Sequence, residues 1–392
     1  MNKTSGAIDR RSLLRALAVT SLGTGETGAS SILTVARPLR QLLDPSSEVR
    51  VGMIGTSGHT GIVLDALSKT PKARLVAYAL RDAARLPEEK DRLQAAGGLE
   101  QEKRRLGRHP SCEPATRFYE TYQEMLDREQ LDVVGICLPY SAIPYASMAA
   151  VARGIHVMSE KPLATELSLL HRLQKLAQEK GVQVSAMLDM RVSPPVQALR
   201  ETIQKGLIGE PLLASAQKSY KFGDDRPWFY KRGDIYGGTI PWIGIHVLDL
   251  IAYTTQLAFT HVSAFQSNRA HPEFPATEDN AGILLRLSNG GTAVVTLDYL
   301  RPESAPTHGD DRLRVIGTKG VVEMRDERVE LMTQQDGAHQ LTLPSSRSLF
   351  ADFVAFLRGQ SHPVLHPDEA FEITRICLLA RQSADERRVL NV

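Results

Sequence analysis

Two short segments carry the residue types from which a hydride-transfer site can be built. Gly55-Thr56-Ser57-Gly58-His59-Thr60-Gly61 follows the apolar run Val49 to Ile54 and opens a helix-like run, Ile62 to Leu67. Strand, tight turn and helix in that order lay a pyrophosphate on backbone N–H groups at a helix start. The glycines stand as G-x-x-G-x-x-G, with Ser57 and Thr60 where the usual fingerprint has its second and third glycines. Both are small, so backbone approach to a phosphate stays open. Further on, Ser159-Glu160-Lys161-Pro162 follows the strand-like run His156-Val157-Met158, and Leu138-Pro139-Tyr140 ends the run before it. In a doubly wound sheet all three segments emerge at the carboxyl edge of parallel strands, where ligands bind. A lysine there can hold a substrate oxygen as an alkoxide while hydride leaves its carbon for a nicotinamide.

Two more stretches belong to the same chemistry. After the run Leu75 to Ala79 come Leu80, Arg81 and Asp82. Arg81 in that place suits the 2′-phosphate of NADP, whereas Asp82 suits the ribose hydroxyls of NAD; the reading is NAD or NADP with a slight lean to NADP. Gly237-Gly238-Thr239-Ile240-Pro241-Trp242-Ile243-Gly244-Ile245-His246 sets a histidine at the start of an apolar helix. His246 there either packs in the core or exchanges a proton with a substrate hydroxyl. Asp249, three residues on, lies on nearly the same helical face and either orients the imidazole or caps local backbone.

The elements that must position these residues fall into two groups. From Glu48 to Met187 apolar strand-like runs alternate with helical ones, which implies a parallel sheet with helices on both faces. Residues 83 to 113 interrupt that rhythm with a charged helical excursion, Glu88 to Arg108, read as a solvated insertion. After Arg191 long strands are joined by hairpin signals, Ser288-Asn289-Gly290-Gly291 and Gly317-Thr318-Lys319-Gly320, which describe a mostly antiparallel sheet. The expected organisation is therefore a signal and linker over 1–47, a Rossmann domain over 48–190 and a substrate-binding and oligomerisation domain over 191–392. Hydrophobic residues at 42% and charged residues at 23% place the chain among soluble globular proteins, and a net charge of +2 gives no general pull toward nucleic acid. Three distant cysteines form no disulfide framework, and no metal-ligand spacing is present.

Several of these motifs in order resemble the glucose-fructose oxidoreductase/inositol dehydrogenase/MocA family, over nearly everything from Glu48 to the C-terminus. The resemblance rests on the glycine segment, Tyr122 to Leu126, Leu138-Pro139, Gly154 to Pro162, Gly237 to Asp249, Gly317 to Gly320 and Ser383 to Leu390. It implies a Rossmann domain followed by an α/β domain with a large open sheet, often used for homo-oligomerisation. It also implies NAD(P)-dependent oxidation or reduction at a carbinol carbon of a sugar, polyol or related compound. The family's catalytic lysine falls on Lys161 and its histidine on His246. The cofactor would meet Gly55, Ser57, Gly58, His59, Thr60, Gly61, Arg81, Asp82, Leu138, Pro139, Glu160, Lys161 and Pro162. Tyr140, Asp189, Arg191, Trp228, Tyr230, Trp242 and Asp249 are the substrate-facing candidates. The family's aspartate, four residues before the histidine, is Trp242 here, and its Thr-Pro-Asn is Leu138-Pro139-Tyr140. An indole cannot relay a proton, although its face can stack on a sugar. Two other readings stand beside a dehydrogenase: a lyase or glycosidase that retains and recycles its nucleotide, and a nucleotide- or sugar-binding protein without turnover.

The N-terminus differs from the rest. Asp9-Arg10-Arg11-Ser12-Leu13-Leu14-Arg15 resembles a twin-arginine export signal, and Ala16 to Ala36 is too polar for a stable membrane span. Export to the periplasm is the expectation, a cytoplasmic protein with an N-terminal tail the alternative. Fractionation of tagged full-length protein should recover a cleaved product outside the cytoplasm; an uncleaved, wholly cytoplasmic product would refute export.

Overall fold

Between Val49 and Ala186 the alternation of buried strands and helices produces a six-stranded sheet. The computed structural model describes residues 42–82, 85–95, 97–223, 226–325 and 327–392, and the twin-arginine-like segment lies outside the described residues. The elements run β1 (Val49–Ile54), α1 (Gly61–Leu67), β2 (Ala73–Arg81), α2 (Glu88–Ala95), α3 (Gly98–Leu106), β3 (Arg117–Thr121), α4 (Tyr122–Arg128), β4 (Val133–Ile136), α5 (Ile143–Ala152), β5 (His156–Ser159), α6 (Leu167–Lys180) and β6 (Val184–Ala186). Strand order is β3-β2-β1-β4-β5-β6, with every neighbouring pair parallel. This is the Rossmann sheet that the alternation implied. Sequence order reverses between β1 and β4, so the loops leaving those two strands open a crevice at the carboxyl edge. The glycine segment and Leu138-Pro139-Tyr140 are those loops.

Local sequence explains several boundaries. Thr121 caps α4 by accepting the Glu124 N–H, and Gly181 at φ 66° closes α6 in the left-handed conformation that spares glycine a steric penalty. β3 was not anticipated: it is an edge strand whose alternating exposure leaves no apolar run to read. The charged excursion is two helices rather than one, broken at Gly97 and Gly98, both with positive φ.

The second half comprises α7 (Pro194–Gln204), β7 (Pro211–Tyr220), a π-helical turn (Ile240–Gly244), α8 (Ile245–Thr255), β8 (Phe259–Ser267), β9 (Asn280–Leu287), β10 (Thr292–Asp298), β11 (Gly309–Gly317), β12 (Gly320–Arg325), β13 (Arg328–Thr333), β14 (His339–Gln340), α9 (Leu349–Leu357), α10 (Pro367–Glu386) and β15 (Leu390–Asn391). Nine strands form a sheet in the order β14-β13-β12-β11-β7-β10-β9-β8-β15, in which only β7 and β10 pair in parallel. Helices α8 and α10 pack on one face of it, while Leu284 of β9 and Val294 of β10, directly paired, are exposed on the other. Helix α9 returns to the first half and packs on α1. At its end Arg358 donates to the carbonyls of Pro71, Ser47 and Lys72, which ties the two halves together.

A buried ion pair completes that tie. Arg191, just past β6, donates to Asp249 of α8 at 2.9 and 2.6 Å and to Glu369 of α10 at 2.8 Å. Both Arg191 and Asp249 are buried, and Glu369 also caps α10 by accepting the His366 N–H. Replacing Arg191 by Ala would leave a carboxylate buried without its cation. That should cost about 3–5 kcal/mol, read as a lower denaturant midpoint, whereas a change near zero would show that the pair is not structural.

Candidate active site

The glycine loop is held by its neighbours on the sheet edge. Gly55 N–H donates to the Ala79 carbonyl at 2.8 Å and Ser57 N–H to the Cys137 carbonyl at 2.8 Å. Gly55 has φ +82°, and a Cβ there would collide with the Cys137 carbonyl. Gly58 has φ +90°, and its Cβ would stand 2.7 Å from Glu160 Oε2. Only glycine meets both demands, conformation and clearance.

Glu160 is the fixed point of the site. It is fully buried, and its Oε2 accepts the His59 N–H at 3.0 Å while His59 Nδ1 lies 2.9 Å away. Burial pushes the carboxyl up, but the His59 hydrogen bonds and charge and the Lys161 ammonium outweigh it and hold Glu160 below the usual carboxylate range. The loop after β5 is thereby bound to the loop after β1.

Lys161, the next residue, is also buried. Its Nζ lies 3.9 Å from Glu160 Oε1, donates to the Trp242 carbonyl at 2.9 Å and stands 2.9 Å from the centroid of the Trp242 ring. Burial lowers its pKa to about 7, against the raising effect of Glu160 and with help from Lys218. Such an amine changes protonation near neutral pH, which suits acid–base work. His246, at the start of α8, is held neutral: burial first, then the charges of Lys161, Lys218 and His59, lower its pKa well below the usual value. Its Nδ1 is buried without a hydrogen-bond partner among the described residues.

Tyr140 joins Trp242 and Tyr230 in one aromatic cluster, stacked on the first and edge-on to the second. Tyr140 lies 4.2 Å from Trp242 between ring centroids, and its hydroxyl is 3.3 Å from that of Tyr230. With a phenol ring and an ammonium both against it, the Trp242 indole is committed to protein partners rather than open to a sugar face. Two other substrate candidates are placed differently from the sequence reading. Arg191 and Asp249 form the buried ion pair described above, so Asp249 does not orient His246. Asp189 is half-buried, and its charge acts on Lys161. Trp228 sits apart, on the wall of a different cavity.

That cavity, of about 300 Å³, lies beyond the glycine loop and is lined by Thr56, Ser57, Leu80, Arg81, Trp228 and residues of α2 and α3. The insertion read as merely solvated therefore walls the crevice. Arg81 is not available there as expected: its guanidinium is paired with Glu120 of β3, one bond being 3.0 Å. Asp82 is fully buried and accepts from Arg85 N–H and Gln123 Nε2, which takes it off the wall. The lean toward NADP loses its physical support with the Arg81–Glu120 pair. Sequence reasoning missed Glu89 and Lys218. Lys218 carried a readable signal, since it shares strand parity with buried Ala214 and Ala216. It is itself buried, and its Nζ donates to Asp311 at 2.7 Å. Glu89 had no such signal, lying within a run of charges.

A glycine cradle at the switch point of a parallel sheet, a cavity of about 300 Å³ beyond it and a buried lysine at the same sheet edge are features that a dinucleotide would fit. Residues 49–188 match the oxidoreductase family with an NAD-binding Rossmann fold, and residues 196–323 match the GFO/IDH/MocA C-terminal domain. The chain belongs to the Gfo/Idh/MocA oxidoreductase family. An oxidoreductase structure from Thermotoga maritima superposes with a TM-score of 0.77 at 31% identity, over 88% of this chain and 100% of that one. A levoglucosan dehydrogenase in complex with NADH shares the fold, with a TM-score of 0.73 at 18% identity over 88% and 99%. D-apiose dehydrogenase of Rhizobium rhizogenes is 25% identical over 50% of this chain and 58% of its own length. The match thus spans little more than half of that relative.

Gly58→Ala should disturb the Glu160–His59 clamp and the loop conformation together. The expected result is nucleotide affinity reduced by about tenfold or more, at a cost of 1–3 kcal/mol for the strained backbone. Unchanged affinity in a titration would show that the loop does not bear on the cofactor.

Proposed function

We propose that the protein is an NAD(P)-dependent dehydrogenase or reductase acting on a carbinol or carbonyl carbon of a sugar, polyol or related small molecule. The observation that carries this reading is the buried Lys161 ammonium, with a pKa near 7, at the carboxyl edge beside the glycine loop. The nicotinamide, when bound, takes or gives the hydride. The residues Gly55, Ser57 and Gly58 would hold the dinucleotide, and Leu138, Pro139 and Glu160 would shape the crevice beside it. In the oxidation direction the substrate loses a hydride from carbon and a proton from its hydroxyl. Neutral Lys161 accepts that proton as the C–O bond becomes a carbonyl, while His246, which burial and the neighbouring cations hold neutral, offers its unpartnered Nδ1 as a hydrogen-bonding group beside it. In reduction the Lys161 ammonium returns the proton to the oxygen.

The Trp242 ring on Lys161 favours a second reading, a binding protein without turnover, since an occupied ammonium cannot touch substrate until the indole yields. Export by the twin-arginine route and homo-oligomerisation through the uncovered face of the nine-stranded sheet complete the proposal. Leu284 and Val294 on that face support the second of these.

Lys161→Ala should lower kcat/KM by about 100-fold or more while nucleotide binding persists, because a positioned acid–base group contributes on that order. In the wild type, kcat/KM for oxidation should rise as pH increases through about 7, where the amine loses its proton. Reduction should show the opposite slope. Screening polyols and aldoses with both nucleotides provides the measurement. Unchanged turnover in the variant would remove Lys161 from the mechanism, and tight binding with no turnover on any substrate would favour the binding protein.

A further inference from the structure

The acid that contacts the adenosine ribose in dinucleotide-binding folds ordinarily comes from the end of the second strand. Here neither residue at the end of β2 can serve. Arg81 is tied to Glu120, and Asp82 is buried off the cavity wall. One helix later, Glu89 of α2 reaches back to the same place. Its carboxylate accepts the Asp82 backbone N–H, and it lines the cavity together with Thr56 and Ser57 of the glycine loop. Its Oε2 is buried without a hydrogen-bond partner among the described residues. An unpartnered carboxylate oxygen on a cavity wall has room for two donors, which is what a ribose diol offers. Burial and the nearby Asp82 charge raise its pKa to about 7, against the Asp82 backbone hydrogen bond and the charges of Arg81 and Arg92.

We propose that Glu89, carried on the inserted helix α2, accepts the hydroxyls of the adenosine ribose and makes the protein select NAD over NADP. The inference rests on the dinucleotide reading above. A carboxylate at that point attracts the free 2′-hydroxyl of NAD and repels a 2′-phosphate. Two of the cations around it are already paired with carboxylates. Arg81 is held by Glu120, and Arg105 of α3 is held by Glu102 at 2.8 and 2.6 Å. Arg92, one turn on along α2 and on the same cavity lining, has its guanidinium 5.5 Å from the centre of the Trp228 ring. Leu80, Leu93 and Trp228 add apolar surface for the adenine.

Fluorescence titration of the full chain with NADH and NADPH tests this without any substrate. The wild type should bind NADH at least about tenfold more tightly than NADPH. Glu89→Gln should weaken NADH by about tenfold and leave NADPH unchanged or tighter, so that the preference collapses, with no shift in melting temperature. Glu89→Asp, which keeps the charge but shortens its reach, should act in the same direction to a smaller extent. A wild type that prefers NADPH would overturn the inference and point to Arg92. So would a Glu89→Gln variant that retains the preference, or that weakens both nucleotides equally. A wild type that binds neither nucleotide would overturn the dinucleotide reading itself, and Glu89 with it.

Discussion

The site depends on one buried carboxylate. Glu160 has no access to solvent, and a lone charge in that position would be costly to bury. It is kept ionised by His59 from one loop and by the Lys161 ammonium beside it. The same contacts hold the glycine loop against the loop after β5, so charge compensation and cofactor geometry are a single arrangement. Gly58 follows from it, because any side chain there would press on Glu160 Oε2.

The electrostatics of the remaining site follow from crowding like charges in a dry place. Burial acts first on His246, and the charges of Lys161, Lys218 and His59 add to it, so the imidazole stays neutral; burial likewise lowers the Lys161 pKa to about 7. Lys218 avoids the same fate because Asp311 and Tyr220 hold its proton against desolvation. Where the resemblance implied an aspartate, this chain has Trp242, and the ring takes the role of a cover. It stabilises the ammonium through its π face and carbonyl rather than moving a proton.

Structural and chemical roles are divided between charges that the sequence shows side by side. Arg191 and Asp249 looked like cleft residues, yet they lock α8 and α10 to the end of β6 and leave His246 without a carboxylate partner. Arg81 looked like a phosphate ligand, yet it closes on Glu120. In both cases a short-range ion pair wins because a buried or half-buried guanidinium finds a carboxylate whose position is set by another strand or helix. The insertion shows the reverse: a run of charges that reads as solvent-facing surface becomes one wall of the crevice.

What the sequence determined by itself were the features carried by local spacing. Alternating apolar runs specified the parallel sheet, hairpin glycines specified two pairings of the second sheet, β9 with β10 and β11 with β12, and the glycine and Glu160-Lys161-Pro162 segments lie together at the strands' carboxyl edge. Lys161 and His246 were legible because motif and element boundary coincide. The partners of charged side chains were not, because an ion pair joins residues far apart in the chain. Arg191 meets Asp249 and Glu369, Arg81 meets Glu120, and Glu89 meets the end of β2 only once helices and strands are packed. Spacing specifies which face a residue occupies; only the tertiary structure decides what stands opposite, since that depends on how separate elements share one buried volume.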